Sequence, residues 1–374
     1  MIEFLEGNDA VVRAAVDAGC TFFAGYPITP ATSILTGMMR ALPEVGGVAV
    51  QCEDEIASIG MCLGAAMTGQ KALTATSGPG MSLYSENIGL AQMGETPVVI
   101  VDVQRQGPAT GSATKGADAD IMFLRYGTSG GLPLIVLSPE SVSECYSLTR
   151  LAFDLAERYR TPVVLASQKE VGLTRERVDL DAARDAYGPS PARASAPPDH
   201  PYLPHAFSGP ADVGPLSPIG GPHLVRYTTS MHDQRAYLTS DPQVIADMME
   251  HLRRKIEDHE ADIARFDFDE EEGADTLLLS YGVAARSARE AVRRVRAQGG
   301  RISLLVLKTL FPVPATALRA ALAGVRRVVV AEMNLGQYVQ VVRAEASGPQ
   351  VVSVGQMNTD LLAPDTIIRE GGLL

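Results

Sequence analysis

The sequence predicts an α/β protein built from two doubly wound parallel-sheet domains, and three observations predict it. From residue 8 to about 170, short apolar runs alternate with segments of helical periodicity, with Gly, Pro and Asp between them. A stretch dense in Pro, Gly and Ser then interrupts the pattern, and from residue 275 the alternation resumes. Strands that are short, continuously apolar and separated by helices belong to parallel sheets covered on both faces. At 374 residues the chain is also too long for one ordinary core, which points to two or three domains.

Taken in order, "DAVVRAAVDAG" has apolar residues at helical spacing and ends on Gly. "TFFAG" reads as a strand and leads into the corner "GYPITP", where Thr29 is the expected N-cap and Pro30 the first-turn residue of the helix "PATSILTGMMRAL". Strand "VAVQC", helix "EIASIGMCLGAAMTG", strand "KALTATS", helix "MSLYSENIGLAQMG" and strand "PVVIVDVQ" continue the pattern. "LPLIVLS", "SVSECYSLTRLAFDLAER" and "PVVLAS" complete a first domain over residues 1–185. Residues 186–272 open with a Pro-rich segment, long for a loop, that reads as a linker or as an arm lying on a partner. A charged amphipathic helix, "PQVIADMMEHLRRKIEDHEADIARF", and a solvated acidic connection, "DFDEEEG", follow. Residues 273–374 then form a second, smaller α/β domain with strands "TLLLSYG", "ISLLVLKTL", "RRVVVAEMN" and "VVSVG".

Composition excludes several classes of function. Net charge is 32 − 44 = −12 with no Lys/Arg-rich tract, so the electrostatic footprint of a nucleic-acid binder is missing. No run of 18 apolar residues exists, and the acidic start "MIEFLEGNDA" is unlike a signal peptide; the expectation is a cytoplasmic protein with no membrane span. Cys20, Cys52, Cys62 and Cys145 lie far apart with no C-x₂-C pair, so any metal cluster this protein works with is expected on another chain. All six histidines fall between residues 200 and 259 without H-E-x-x-H spacing, which argues against His-based catalysis in the N-terminal third.

In an open parallel sheet, ligands bind at the carboxyl ends of the strands. Four loops of the first domain end on polar residues there: Thr29 in "GYPITP", Glu53 to Glu55 in "QCEDEIASIG", Ser77 in "ATSGPGMS", and Arg105 through Lys115 in "VDVQRQGPATGSATKG". The three carboxylates of "CEDEI" have a plain reading as partners of a helix N-terminal dipole. Their other reading is chemical, since a carboxylate buried at such a junction has its pKa raised by desolvation and can hold a proton against a ring nitrogen. Ala57, Met61 and Gly64 lie at i, i+4 and i+7 with Gly60 beside them, so that face admits close approach of another backbone. "TSGPGMS" resembles a phosphate-cradling turn entering a helix but lacks both the P-loop and the dinucleotide fingerprints, and its Gly78 and Gly80 equally serve tight turning. Arg105, Thr110, Thr114 and Lys115 together suit a small carboxylate, Arg supplying a bidentate fork and the threonines further hydrogen bonds. No G-D-G with a downstream Asn appears, so the usual Mg²⁺-diphosphate holder of thiamine enzymes is not in this sequence.

Together "GYPITPATS", "QCEDEIASIG…LGAAMTGQKALTATSGPGMSL" and "VDVQRQGPATG", followed by "TTSMHDQRAYLTSDP", resemble the α subunit of the 2-oxoacid:ferredoxin oxidoreductases over nearly the whole chain. The resemblance implies a first domain that binds the pyrimidine end of thiamine diphosphate and a second like the C-terminal domain of transketolases. It implies a β subunit carrying the diphosphate/Mg²⁺ site and a [4Fe–4S] cluster, ferredoxin as electron acceptor, and an (αβ)₂ heteromer. By motif, Glu55 matches the glutamate that hydrogen-bonds pyrimidine N1′, Thr29 and Thr114 match substrate-side hydroxyls, and Arg105 matches the arginine that holds the substrate carboxylate. Lys115 is placed with the substrate residues, and Ser77 and Gly78 with the cofactor edge. The implied reaction is CoA-dependent oxidative decarboxylation of a 2-oxoacid, reversible in principle, with 2-oxoglutarate first, branched-chain 2-oxoacids second and pyruvate third. The γ domain sometimes fused to such subunits is missing, which leaves a place for a separate γ polypeptide, and "SQK" stands where relatives often carry Asp. Two rival readings are a dinucleotide-binding oxidoreductase subunit and a non-catalytic scaffold.

Overall fold

In a computed structural model, the structure describes residues 1–188 and 194–374; the remainder of the Pro-rich stretch, 189–193, lies outside the described residues. The first half runs β1 (Ile2–Glu6), α1 (Gly7–Asp17), β2 (Phe22–Gly25), α2 (Thr32–Glu44), β3 (Val48–Gln51), α3 (Glu55–Met67), β4 (Ala72–Thr76) and α4 (Pro79–Met93). It continues with β5 (Val98–Gln104), α5 (Ile121–Tyr126), β6 (Ile135–Leu137), α6 (Val142–Tyr159), β7 (Pro162–Gln168), α7 (Lys169–Gly172), β8 (Arg175–Asp179) and α8 (Leu180–Asp185). After the Pro-rich stretch come α9 (Pro242–Glu257), α10 (Glu260–Ile263), β9 (Phe266–Asp269), β10 (Thr276–Tyr281), α11 (Gly282–Ala297), β11 (Ser303–Leu307) and β12 (Thr309–Phe311). The chain ends with α12 (Ala315–Leu322), β13 (Arg327–Glu332), α13 (Tyr338–Glu345), β14 (Gln350–Gly355) and α14 (Pro364–Gly371).

A seven-stranded sheet has the order β12-β6-β7-β5-β4-β2-β3, and a five-stranded sheet the order β14-β13-β10-β11-β9. Each is parallel except for one antiparallel edge strand, β12 on the larger and β9 on the smaller. Along β5, Val99, Val101 and Val103 enter one apolar core and Val98 and Ile100 the other, as the two-residue period of a strand requires. The first core takes the apolar stripes of α1, α2 and α6, and the second those of α3 and α4, so both faces of the sheet are covered. From β2 the chain moves outward to β3 and returns to β4 on the other side of β2, so the loops after β2 and β4 part there and open a crevice.

Several elements differ from expectation for identifiable reasons. "ISLLVLKTL" reads as one strand but breaks at Lys308, whose buried ammonium meets Glu140 Oε1 at 2.8 Å and Glu144 Oε1 at 2.5 Å. That anchor turns the chain out of the five-stranded sheet and makes β12 the edge of the seven-stranded one. The acidic patch is not only a connection: Phe266–Asp269 pairs antiparallel with β11, and its exposed carboxylates bind Arg289 and Arg296. The long amphipathic helix ends at Glu257 and resumes as the single turn α10. The N-terminal "IEFLE" forms a two-stranded ribbon with β8, a pairing between residues too distant in sequence for local pattern to reveal. The described part of the Pro-rich segment lies on this chain's own first half, through Ile219 N–H to the Met67 carbonyl and Arg160 to the carbonyls of Pro204 and Pro215.

Candidate functional site

Building the site strand by strand begins after β2. Helix α2 starts at Thr32 with Ala31 as its N-cap, so Thr29 does not cap it, contrary to expectation. The corner is held from below instead: buried Asn8 donates through Nδ2 to the Pro30 carbonyl at 3.0 Å and to Ser33 Oγ at 2.7 Å. The Thr29 side chain is exposed, and its carbonyl accepts from Arg105 Nη1 at 2.6 Å. After β3 the three acidic residues divide their tasks. Asp54 is the N-cap of α3 and accepts from Ala57 N–H at 2.7 Å, which satisfies a helix-terminal donor. Glu53 is exposed, whereas Glu55 is buried, and its carboxylate has no hydrogen-bond partner among the described residues.

After β4, Ser77 is wholly buried, and its Oγ has no partner among the described residues. Gly78 caps α4, and Pro79 occupies its first turn, where no N–H is needed. A Cβ on Gly80 would lie 1.9 Å from Thr76 Oγ1 and 3.0 Å from Glu55 Oε1, so only glycine lets the start of α4 close against Glu55. After β5, Arg105 is buried with its Nε unpaired. Thr114 and Lys115 sit exposed on the far turn of the loop, whose ends are tied by Gln106 N–H to the Lys115 carbonyl at 2.9 Å. The structure therefore brings Glu55, Ser77, Gly78, Arg105 and the Thr29 carbonyl to one edge and leaves Thr114 and Lys115 outside it.

The edge contains carboxyls that the motif reading did not single out. Asp102, on β5, is fully buried, with the Gly78 N–H bearing on its carboxyl, and Asp120 Oδ2 is buried beside Gly78 without a donor among the described residues. Burial first, and then the Asp120 charge, push the Asp102 carboxyl well above the usual carboxylate range. Asp120 is pushed up to about 6 by burial, with the Arg105 charge opposing. Asp118, likewise buried, is pushed up to about 8, chiefly by desolvation. It also bridges the two sheets, accepting from Met333 N–H at 3.1 Å. A signal for Asp102 was present in the sequence: an acid inside the otherwise apolar strand "VVIVDVQ" needs a reason to be there. Gln168, in "SQK", accepts from Val283 N–H at 2.6 Å and so ties β7 to the start of α11.

A cavity of about 330 Å³ opens on this edge, lined by Gly78, Ser82, Arg105 and Asp120 from the first half and by Leu335 and Met357 from the second. The side chains of Leu335 and Met357 on one wall and Arg105 with the Asp120 carboxyl on the other suit a small anion with an apolar portion. Glu55 after β3 and Ser77 after β4, each without a hydrogen-bond partner among the described residues, keep polar atoms unfilled, which suits a ring that carries nitrogen and amino groups. No helix among the described residues is long and apolar enough to cross a membrane.

Residues 13–251 match the family model described as pyruvate flavodoxin/ferredoxin oxidoreductase, thiamine diphosphate-binding, and residues 274–367 match pyruvate:ferredoxin oxidoreductase core domain II. The chain is 40% identical over 370 residues to 2-oxoglutarate synthase subunit KorA of Methanothermobacter marburgensis, covering 98% of this chain and 97% of the relative. It superposes with a TM-score of 0.92 and 31% identity on the 2-oxoglutarate:ferredoxin oxidoreductase of Magnetococcus marinus, solved with 2-oxoglutarate, coenzyme A and succinyl-CoA bound. That match covers 99% of this chain and 65% of the longer solved chain. A split-gene transketolase, solved as an inactive β4 tetramer, shares the fold at a TM-score of 0.53 and 15% identity over 99% of this chain.

Proposed function

The chain belongs to the pyruvate flavodoxin/ferredoxin oxidoreductase family, and from that premise we propose that it is the α subunit of a 2-oxoglutarate:ferredoxin oxidoreductase. The reaction read from the site is conversion of 2-oxoglutarate and coenzyme A to succinyl-CoA and CO₂, with two electrons passed to ferredoxin. The observation that carries the reading is Glu55: a buried carboxylate with no hydrogen-bond partner among the described residues, at the crevice of a family whose first domain binds thiamine diphosphate. When bound, thiamine diphosphate supplies the carbon nucleophile and the electron sink for the carboxyl carbon that leaves as CO₂.

The residues of this chain have three tasks in that scheme. Glu55 holds a proton at the pyrimidine N1′, a role for which a carboxyl with a free acceptor and little water around it is suited. Ser77, with its unpaired Oγ, and Gly78, by the absence of a side chain, shape the floor beside it. Arg105, steadied by the Thr29 carbonyl through Nη1, offers its remaining guanidinium edge to the substrate carboxylate. Thr29 keeps an exposed hydroxyl at the same corner, available to the substrate. Thr114 and Lys115, exposed on the loop beyond, meet the distal part of a longer substrate or a partner subunit. A β subunit supplies the diphosphate and Mg²⁺ site and the [4Fe–4S] cluster, in keeping with a sequence that has neither a G-D-G motif nor paired cysteines.

The test is Glu55→Gln in the complex assembled with its β subunit. Loss of a general acid–base group predicts turnover lower by about 10²- to 10⁴-fold with the complex still assembled. Near-normal turnover would sink the N1′ role.

A further inference from the structure

We propose that Asp102 and Asp120 form a carboxyl pair that compensates the anion bound at Arg105: when a carboxylate occupies the guanidinium, one proton is taken up from solvent onto Asp120. The proposal rests on the reading that Arg105 receives the substrate carboxylate.

The geometry starts at Asp102. It lies on β5 between Val101 and Val103, fully buried, and the Gly78 N–H that bears on it leaves its two oxygens short of the donors an ionised carboxylate needs. Desolvation disfavours an ionised carboxylate at this position, so the stable form is the acid, with a proton to donate. The group it meets is Asp120, whose Oδ2 is also buried and lacks a conventional donor. Asp120 is fixed in place by its own N–H, which donates to Gln104 Oε1 at 3.1 Å, and it lines the cavity beside Arg105. Two carboxyls in such contact share one proton more readily than none or two, which is the arrangement of a like-charge dyad.

The charges around the pair are few. Arg105 faces Asp120 from the end of β5 and favours its ionised form. Asp118 faces it from the same loop but is itself held protonated up to about pH 8 by burial; Glu170 and Glu332 act on Asp118. The Arg105 cation is therefore balanced, before any ligand arrives, by the single negative charge of the dyad. A substrate carboxylate at Arg105 places a second anion near Asp120 and draws off the charge that kept it ionised. Both effects raise the proton affinity of Asp120. No bond is made or broken; solvent supplies the proton, and the dyad passes from one proton to two. The consequence is specificity of a particular kind, since the site accepts an anion only with its compensating proton and binds the 2-oxoacid more tightly as pH falls.

The experiment is calorimetric titration of the assembled αβ complex with N-oxalylglycine, an unreactive amide analogue of 2-oxoglutarate, in buffers of different ionisation enthalpy. For the wild type the expected result is uptake of up to about one proton per ligand near pH 7, with Kd rising toward about tenfold per pH unit above pH 6.5. Asp120→Asn, which keeps an acceptor for the Asp102 proton, is expected to bind with no proton uptake and with a Kd that stays flat over that range. Asp102→Asn, which puts a neutral donor of the same shape in place of the protonated acid, is the second variant and is expected to keep the uptake; its loss there would overturn the placing of the proton on Asp120. If the wild type takes up no proton while Arg105→Ala abolishes binding, the dyad proposal is overturned and the carboxylate reading stands. If Arg105→Ala binds as tightly as the wild type, both fall together.

Discussion

Glu95 and the Asp102–Asp120 pair are all carboxyls taken out of water, and the chain treats them in opposite ways. Glu95 is saturated: His205 Nδ1 lies 2.9 Å from one oxygen, and Lys255 Nζ at 2.8 Å and His251 Nε2 at 3.2 Å contact the other. Burial alone would raise its pKa, but the charges of Lys255 and Arg160 and the two imidazoles outweigh it and hold Glu95 well below the usual range. For Asp102 the Gly78 N–H and for Asp120 the Arg105 charge are too little to offset burial, which drives both upward. The difference separates structure from chemistry. A buried ion with every lone pair filled is a clamp, here joining α4, α6, the Pro-rich segment and α9. Buried carboxyls left unfilled at strand ends keep their capacity for a ligand or a proton.

The largest effect should come from breaking the clamp. Glu95→Gln leaves Lys255 and Arg160 without their counter-charge and is expected to lower stability by about 3–5 kcal/mol, read as a fall in the unfolding midpoint at pH 7. The pH dependence follows the same logic. The folded value of Glu95 is depressed, so its stabilisation is complete above its unfolded pKa near 4.3 and is lost as pH falls through the folded value. His205, lowered chiefly by burial, adds to the loss from about pH 6.5 downward, because the unfolded chain binds its proton first. If Glu95→Gln leaves the acid unfolding profile unchanged, the cluster is not a clamp.

At the strand edge the sign reverses. Asp118 keeps in the folded state a proton that the unfolded chain releases above about pH 4, so it costs stability as pH rises from there to about 8. Asp118→Asn preserves an acceptor for Met333 N–H and is expected to gain about 1–3 kcal/mol at pH 8 relative to wild type, with no gain at pH 4. An equal gain at both pH values would show that packing, not ionisation, is responsible. The smallest effect repeats the comparison between neighbours. Asp54→Ala removes a satisfied cap and should cost about 1 kcal/mol of stability, whereas Glu55→Gln next to it should act on turnover and leave the unfolding midpoint nearly in place.

The strand and helix pattern of both sheets was legible because it is local: "PVVIVDVQ" and "TLLLSYG" can only be strands buried on two faces, and "SVSECYSLTRLAFDLAER" has one apolar stripe. The edge strands β3 and β14 were legible, whereas three others were not: β9 is acidic and exposed, β12 is three residues long, and β1 finds its partner some 170 residues away. The capping role of Thr29 failed for a related reason: Asn8, from another helix, takes over the support of that corner and the helix starts three residues later.

From the sequence alone came the order of the strands' polar tips, the missing diphosphate and cluster ligands, and the resemblance that assigned Glu55 and Arg105, because each is a matter of residue type at fixed spacing. Only the tertiary structure decided which acids matter and how. Asp54 and Glu55 are adjacent in sequence, yet one faces water with a donor and the other faces the crevice with none. Asp102 and Asp120 are separated by a loop that sequence cannot fold, and Glu95 meets His205 of the Pro-rich segment and His251 of α9 only through tertiary packing. Desolvation and partner count set a carboxyl's chemistry, and both are properties of packing rather than of order along the chain.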